Sequence, residues 1–89
     1  MHATAAPFQV VRLKNKTTKS QQVWLEPLGD QVALRPGGLY ELAMSGEFGK
    51  VEIELSDDGF VVYGWVTRIA SIDENGNAHL EWELPGASV

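Results

Sequence analysis

From Phe8 onward, apolar and polar residues alternate with a period of two. Gly, Pro, Asn and Asp interrupt the alternation roughly every eight to twelve residues. That pattern belongs to short strands joined by tight turns, and no stretch sustains the 3.6-residue period of a long helix. It predicts strands over residues 8–14, 21–26, 31–35, 39–44, 50–56, 60–70 and 77–84. Sheets with one apolar face bury those faces against each other. The expected fold is therefore all-β: a small two-sheet antiparallel β-sandwich of about seven strands, with a partly open small barrel as the alternative. Residues 7–85 form the single expected domain. Residues 1–6 and 86–89, small or polar, are expected to be flexible tails.

Parity registers two hairpins. In Lys50-Val51-Glu52-Ile53-Glu54-Leu55, Val51, Ile53 and Leu55 point one way. Asp58-Gly59 is a two-residue type I′ signal, and such a loop pairs Leu55 with Val62, Ile53 with Gly64 and Val51 with Val66. The opposite face then sets Glu54 beside Tyr63 and Glu52 beside Trp65. For the second hairpin, a three-residue loop Glu74-Asn75-Gly76 with Gly76 at positive φ pairs Ile72 with Ala78 and Ala70 with Leu80. Its cost is Arg68 opposite Trp82, which calls for a bulge or a solvent-reaching arginine. Together the hairpins predict a three-stranded meander with 60–70 in the middle.

The first half of the chain supplies the other sheet. Val23 and Leu25 face Leu34 and Val32 across the loop 26–31. Arg35-Pro36-Gly37-Gly38 suits a type II turn. The predicted core is Leu13, Val23, Leu25, Val32, Leu34, Tyr40, Leu42, Val51, Ile53, Leu55, Val62, Val66, Leu80 and Trp82.

Charge is split along the chain. Residues 1–22 hold Arg12, Lys14, Lys16 and Lys19 and no acid, while residues 23–89 hold all twelve acids against three cations; the formal net charge is −5. Nucleic-acid affinity rests on neutralising phosphates, so an acidic chain argues against that partner. With no cysteine there are no disulfides and no thiolate chemistry. No window reaches the length of a membrane-spanning helix, so no membrane association is expected. The start, Met1 to Pro7, lacks a charged segment followed by an apolar run, so a cytoplasmic location is expected; an exported chain with its signal removed would look the same.

Asn15-Lys16-Thr17, Val23-Trp24-Leu25, a turn with Gly29-Asp30, and Leu34-Arg35-Pro36-Gly37-Gly38 together resemble the β-domain of the von Hippel–Lindau family over residues 13–40. The resemblance implies a small sandwich. The β-domain of that family holds a hydroxyproline peptide, and its helical domain recruits a ligase adaptor. These 89 residues contain no counterpart of the helical domain, and no peptide-contacting residue can be aligned, so none is assigned.

Catalytic groups are scarce, and no enzyme activity, metal or cofactor is expected. His2 lies in a tail, and His79 reads as a solvent-facing strand residue. No Gly-x-Ser-x-Gly elbow is present, Gly37-Gly38 is a turn rather than a phosphate loop, and Asp57-Asp58-Gly59 lacks calcium-loop spacing. The unusual segment is Phe60-Val61-Val62-Tyr63-Gly64-Trp65-Val66, apolar on both faces. The parity above turns Val61, Tyr63 and Trp65 away from the core, and such a patch marks either local packing or a contact site. The candidate partner-binding face is thus Tyr63, Trp65 and Val61, rimmed by Glu52, Glu54, Glu81 and Glu83. The expected function is a small non-catalytic protein-binding or self-associating module. A basic partner is expected, either another protein or residues 12–19 of a second copy. An acidic inhibitor masking a basic enzyme surface and a carbohydrate-binding module are the alternatives.

Overall fold

The structure, a computed structural model, describes residues 8–45 and 51–85. The predicted tails, 1–6 and 86–89, and the predicted strand start at Lys50 lie outside the described residues. Among the described residues there are eight strands: β1 (Phe8–Lys14), β2 (Gln21–Glu26), β3 (Asp30–Leu34), β4 (Leu39–Ser45), β5 (Glu52–Ser56), β6 (Gly59–Tyr63), β7 (Trp65–Ile72) and β8 (Ala78–Glu83). They form two four-stranded sheets, ordered β1-β4-β7-β8 and β3-β2-β6-β5, and neither closes into a barrel. The expected sandwich is the observed fold. It is not wholly antiparallel, because β2 and β6 pair in parallel, Leu25 beside Val62.

The eighth strand arises at Gly64. The expected continuous strand 60–70 breaks there, with β6 staying in the second sheet and β7 entering the first. The Gly64 N–H donates to the Glu26 carbonyl at 2.9 Å, so its backbone is held by a strand end while the chain changes layer. The expected three-stranded meander is therefore wrong: β5 and β8 flank different strands in different sheets. The segment is apolar on both parities within β6 itself: Val62 is buried, while Val61 and Tyr63 face outward.

Two bulges set the faces of the first sheet. Met44 pairs with Val66 and Ala43 with Arg68, which leaves Thr67 as the extra residue on β7. Its hydroxyl donates to the Ala43 carbonyl at 3.1 Å. An added residue reverses parity, so Val66 and Ile69 are both buried. On β8, Leu80 pairs with Ala70 but Trp82 with Ile69, which makes Glu81 the bulged residue. The three-residue loop and its register, with Ile72 opposite Ala78, are as expected, and Gly76 has φ +84°. The bulge removes the expected clash of Arg68 with Trp82. It also separates Leu80 from Trp82: Trp82 packs against the core, and Leu80 is 61 % exposed on the outer face, contrary to expectation.

The other hairpins keep their parity but shift by two residues. Leu55 pairs with Phe60 and Ile53 with Val62, closing the turn on Asp57-Asp58 rather than Asp58-Gly59. Among the described residues no non-glycine has positive φ, so no type I′ turn forms. Gly59 is needed for space instead: a Cβ there would run into the Gln22 carbonyl of β2. Val23 pairs with Val32 and Leu25 with Asp30, a tighter connection than expected.

Val23, Leu25, Leu34, Tyr40, Leu42, Met44, Val62, Val66 and Ile69 are the buried apolar residues. Leu13, Val32, Val51 and Trp82 pack against them, half-buried. Ile53 and Leu55 were expected inside, and their side chains do lie on the inner face. They are exposed because β5 is an edge strand.

One end of the sandwich is closed by Asn15, 4 % exposed. Its amide donates to the carbonyls of Lys19 and Leu34, and its oxygen accepts from the N–H and hydroxyl of Thr17. Its backbone exchanges bonds with Gly37 and Gly38, in the expected Pro36-Gly37 turn, where Gly37 has φ +76° and the Gly38 N–H reaches the Arg35 carbonyl. Asn15-Lys16-Thr17 and Leu34-Arg35-Pro36-Gly37-Gly38, two of the motifs behind the von Hippel–Lindau resemblance, thus meet in one polar closure.

Candidate functional site

The outer face of the second sheet is built by cross-strand neighbours. Gln31, Trp24, Val61 and Glu54 form one row across β3, β2, β6 and β5. Glu26, Tyr63 and Glu52 form the next. Trp24 and Val61 are half-buried and Tyr63 is 38 % exposed, so a continuous apolar and aromatic strip reaches solvent. Carboxylates flank it on both sides, Glu26 on β2 and Glu52 and Glu54 on β5.

Tyr63 reports on this surface. Its hydroxyl donates to Glu54 Oε1 at 3.2 Å. The phenol pKa lies above its ordinary value of 10.0, first through the charge of Glu54, then desolvation and the Glu54 hydrogen bond, with Glu26 and Glu52 adding. Negative potential disfavours a phenolate, and the same potential favours a cation placed over the strip.

The expected face is brought together in part. Val61, Tyr63, Glu52 and Glu54 share it, with Glu52 opposite Tyr63 and Glu54 diagonal to it, the reverse of the expected order. Trp65 does not join them. It lies past Gly64, opposite Ser45 in the first sheet. Glu83 lies opposite Arg68, also in the first sheet. Glu81 is occupied elsewhere: Nη1 and Nη2 of Arg35 both donate to it at 3.0 Å, and the Ser71 hydroxyl donates at 2.7 Å. Two members of the face, Trp24 and Glu26, were missed. Outward parity of Trp24 between Val23 and Leu25 was readable, but its place beside Val61 depends on a parallel pairing that no local turn encodes.

His79 is an exposed strand residue whose Nε2 lies 2.8 Å from Asp73 Oδ2. Among the described residues no three His, Cys, Asp or Glu side chains converge as metal ligands. Residues 12–19 do not cover the Tyr63 face: β1 pairs with β4, and Arg12 binds Glu41 on the first sheet at 2.7 Å.

Fold and site together define a small two-layer β-sandwich that presents an acidic, aromatic sheet face. Comparison with family models, curated proteins and solved structures found no match.

Proposed function

We propose that this chain is a small non-catalytic protein-binding module whose Trp24, Val61 and Tyr63 strip receives a basic segment of a partner protein. The observation that carries the reading is the ring of Glu26, Glu52 and Glu54 around the Tyr63 phenol, with its raised pKa. An aromatic centre supplies apolar contact area and a charged rim supplies steering and specificity, the usual division of work in protein interfaces. A cation over Trp24 or Tyr63 would gain both from the ring faces and from the carboxylates. The inhibitor reading uses this same face, with a basic enzyme surface as the partner.

The test is a titration followed by nuclear magnetic resonance, using a peptide with alternating Lys and aromatic residues. Shifts should concentrate on Trp24, Val61 and Tyr63, weaken with salt, and vanish in Tyr63→Ala. A neutral oligosaccharide that moves the same resonances independently of salt would replace this reading with carbohydrate binding. If neither probe perturbs the face, the assignment fails.

A further inference from the structure

Among the described residues the sandwich has four edge strands: β1 and β8 in the first sheet, β3 and β5 in the second. β3 and β8 lie over each other, joined by the Trp82 to Asp30 hydrogen bond and the ion pair of Arg35 with Glu81. β1 and β5 therefore share the opposite side. Both finish at the same end of the molecule, where Lys14, Asn15, Leu55 and Ser56 line one open depression of about 220 Å³. The two strands run in the same direction. Among the described residues nothing pairs with the outer edge of either.

This side is apolar within and charged without. Every residue of β5 is exposed, and Leu55, on the inner face, is 85 % exposed. Val11 and Leu13 of β1 are its inner-face counterparts, only half-buried. On the outer face β5 carries Glu52 and Glu54 and β1 carries Arg12 and Lys14. Among the described residues neither glutamate nor Lys14 forms an ion pair. A long strand edge with uncovered apolar side chains is a template for pairing with another chain.

We infer that the chain forms a two-fold dimer in which β5 of each copy pairs, in parallel, with β1 of the other. Two closed arrangements are available to edges that lie on one side of a sandwich. A two-fold axis perpendicular to the sheets joins β5 to β5 and β1 to β1, which sets glutamates beside glutamates and Arg12 and Lys14 beside their own copies. An axis along the strands joins β5 to β1 twice. It sets Glu52 and Glu54 beside Arg12 and Lys14, and it brings Ile53 and Leu55 level with Val11 and Leu13 of the other copy. Like charges on neighbouring strands repel and opposite charges attract, so charge selects the second arrangement. Each sheet then continues from one copy into the other, and the inner-face residues of both edges extend one core. This inference stands on the strand edges; it shares Glu52 and Glu54 with the Tyr63 face but does not use Trp24, Val61 or Tyr63.

Sedimentation across a concentration series tests it. The expected result is a dimer that weakens with salt. Glu54→Lys and Lys14→Glu should each raise the dissociation constant about tenfold or more, equivalent to about 1.4 kcal/mol, and the double variant should restore it. Leu55→Ser should also weaken the dimer, while its circular dichroism stays that of the parent because Leu55 is exposed in the single chain. Tyr63→Ala should leave dimerisation unchanged, which separates this inference from the proposed function. A monomer at every concentration overturns it, as does a dimer indifferent to the charge swaps. A Glu54→Lys chain that pairs with the parent chain but is not rescued by Lys14→Glu would assign the β5 to β5 arrangement instead.

Discussion

The indole N–H of Trp82 donates to Asp30 Oδ2 at 2.7 Å, tying the edge of one sheet to the edge of the other. This bond is the main reason the Asp30 carboxyl sits below its ordinary pKa, with the Gln31 N–H contributing. Trp82→Phe keeps a ring against the core and removes the bond, so the Asp30 pKa should rise toward its usual value in a carbon-detected titration. Trp82→Ala also empties the space and should cost about 3 kcal/mol, the low end for truncating a buried aromatic, since Trp82 is only half-buried. Denaturant unfolding checks the second effect.

Asn15 should tolerate almost nothing. It supplies two donors and an acceptor that takes two bonds, all inside a closed end. Asn15→Asp puts an oxygen against the carbonyls of Leu34 and Lys19 and should destabilise more than Asn15→Ala. Alanine leaves those carbonyls and Thr17 without partners, at about 1–3 kcal/mol. If the aspartate variant proves the more stable at neutral pH, the assigned direction of the amide is wrong.

Gly76 and Gly59, each beside a hairpin turn, do different work, and substitution should separate them. Gly76 is left-handed at φ +84°, with nothing within 4 Å of an added Cβ. Gly76→Asn should be nearly neutral and Gly76→Val should cost about 1 kcal/mol. At Gly59 the obstacle is the Gln22 carbonyl, a backbone atom in a parallel pair that cannot step aside. Gly59→Ala should therefore be worse than Gly76→Val and should disturb the β2 to β6 amides in hydrogen exchange.

Local patterning made most of the strands and the second hairpin legible. Asn75-Gly76 could be placed because parity on its two sides allowed only one loop length. What escaped was set by tertiary geometry. Gly64 lies between Tyr63 and Trp65 in a run that satisfies strand propensity throughout, so nothing local says that the chain leaves one sheet for another. The bulges at Thr67 and Glu81 reversed parity, moving Ile69 into the core and Leu80 out of it. Ile53 and Leu55 have core-like alternation, and only their position at an edge leaves them uncovered. The candidate face followed the same rule. Val61, Tyr63, Glu52 and Glu54 belong to one hairpin and were found together. Trp24 and Glu26 come from a distant strand and were missed.

Glu81 should make the fold acid-sensitive. Arg35, then Ser71, hold its carboxyl below the ordinary 4.5. A carboxyl lowered in the native state binds fewer protons folded than unfolded. Its contribution is complete above the ordinary value and is lost as pH falls through the lowered native one. Glu81→Gln should flatten the pH dependence of the melting temperature in that acidic window. The difference should stay under about 1 kcal/mol, since the Arg35 side chain is 58 % exposed.

Tyr63 supplies the last prediction, on the alkaline side. Three carboxylates around one phenol oppose its ionisation, so Tyr63 should titrate above 10.0 when followed by phenolate absorbance. Glu54 is both the largest charge effect and the hydrogen-bond acceptor, so Glu54→Gln should lower the Tyr63 pKa most. Glu26→Gln and Glu52→Gln act through charge alone and should lower it less, with Glu26 ahead of Glu52. Salt should shrink the charge effects. If Glu54→Gln leaves the Tyr63 titration unmoved, the carboxylates do not surround the ring as described, and the potential invoked for a basic partner goes with them.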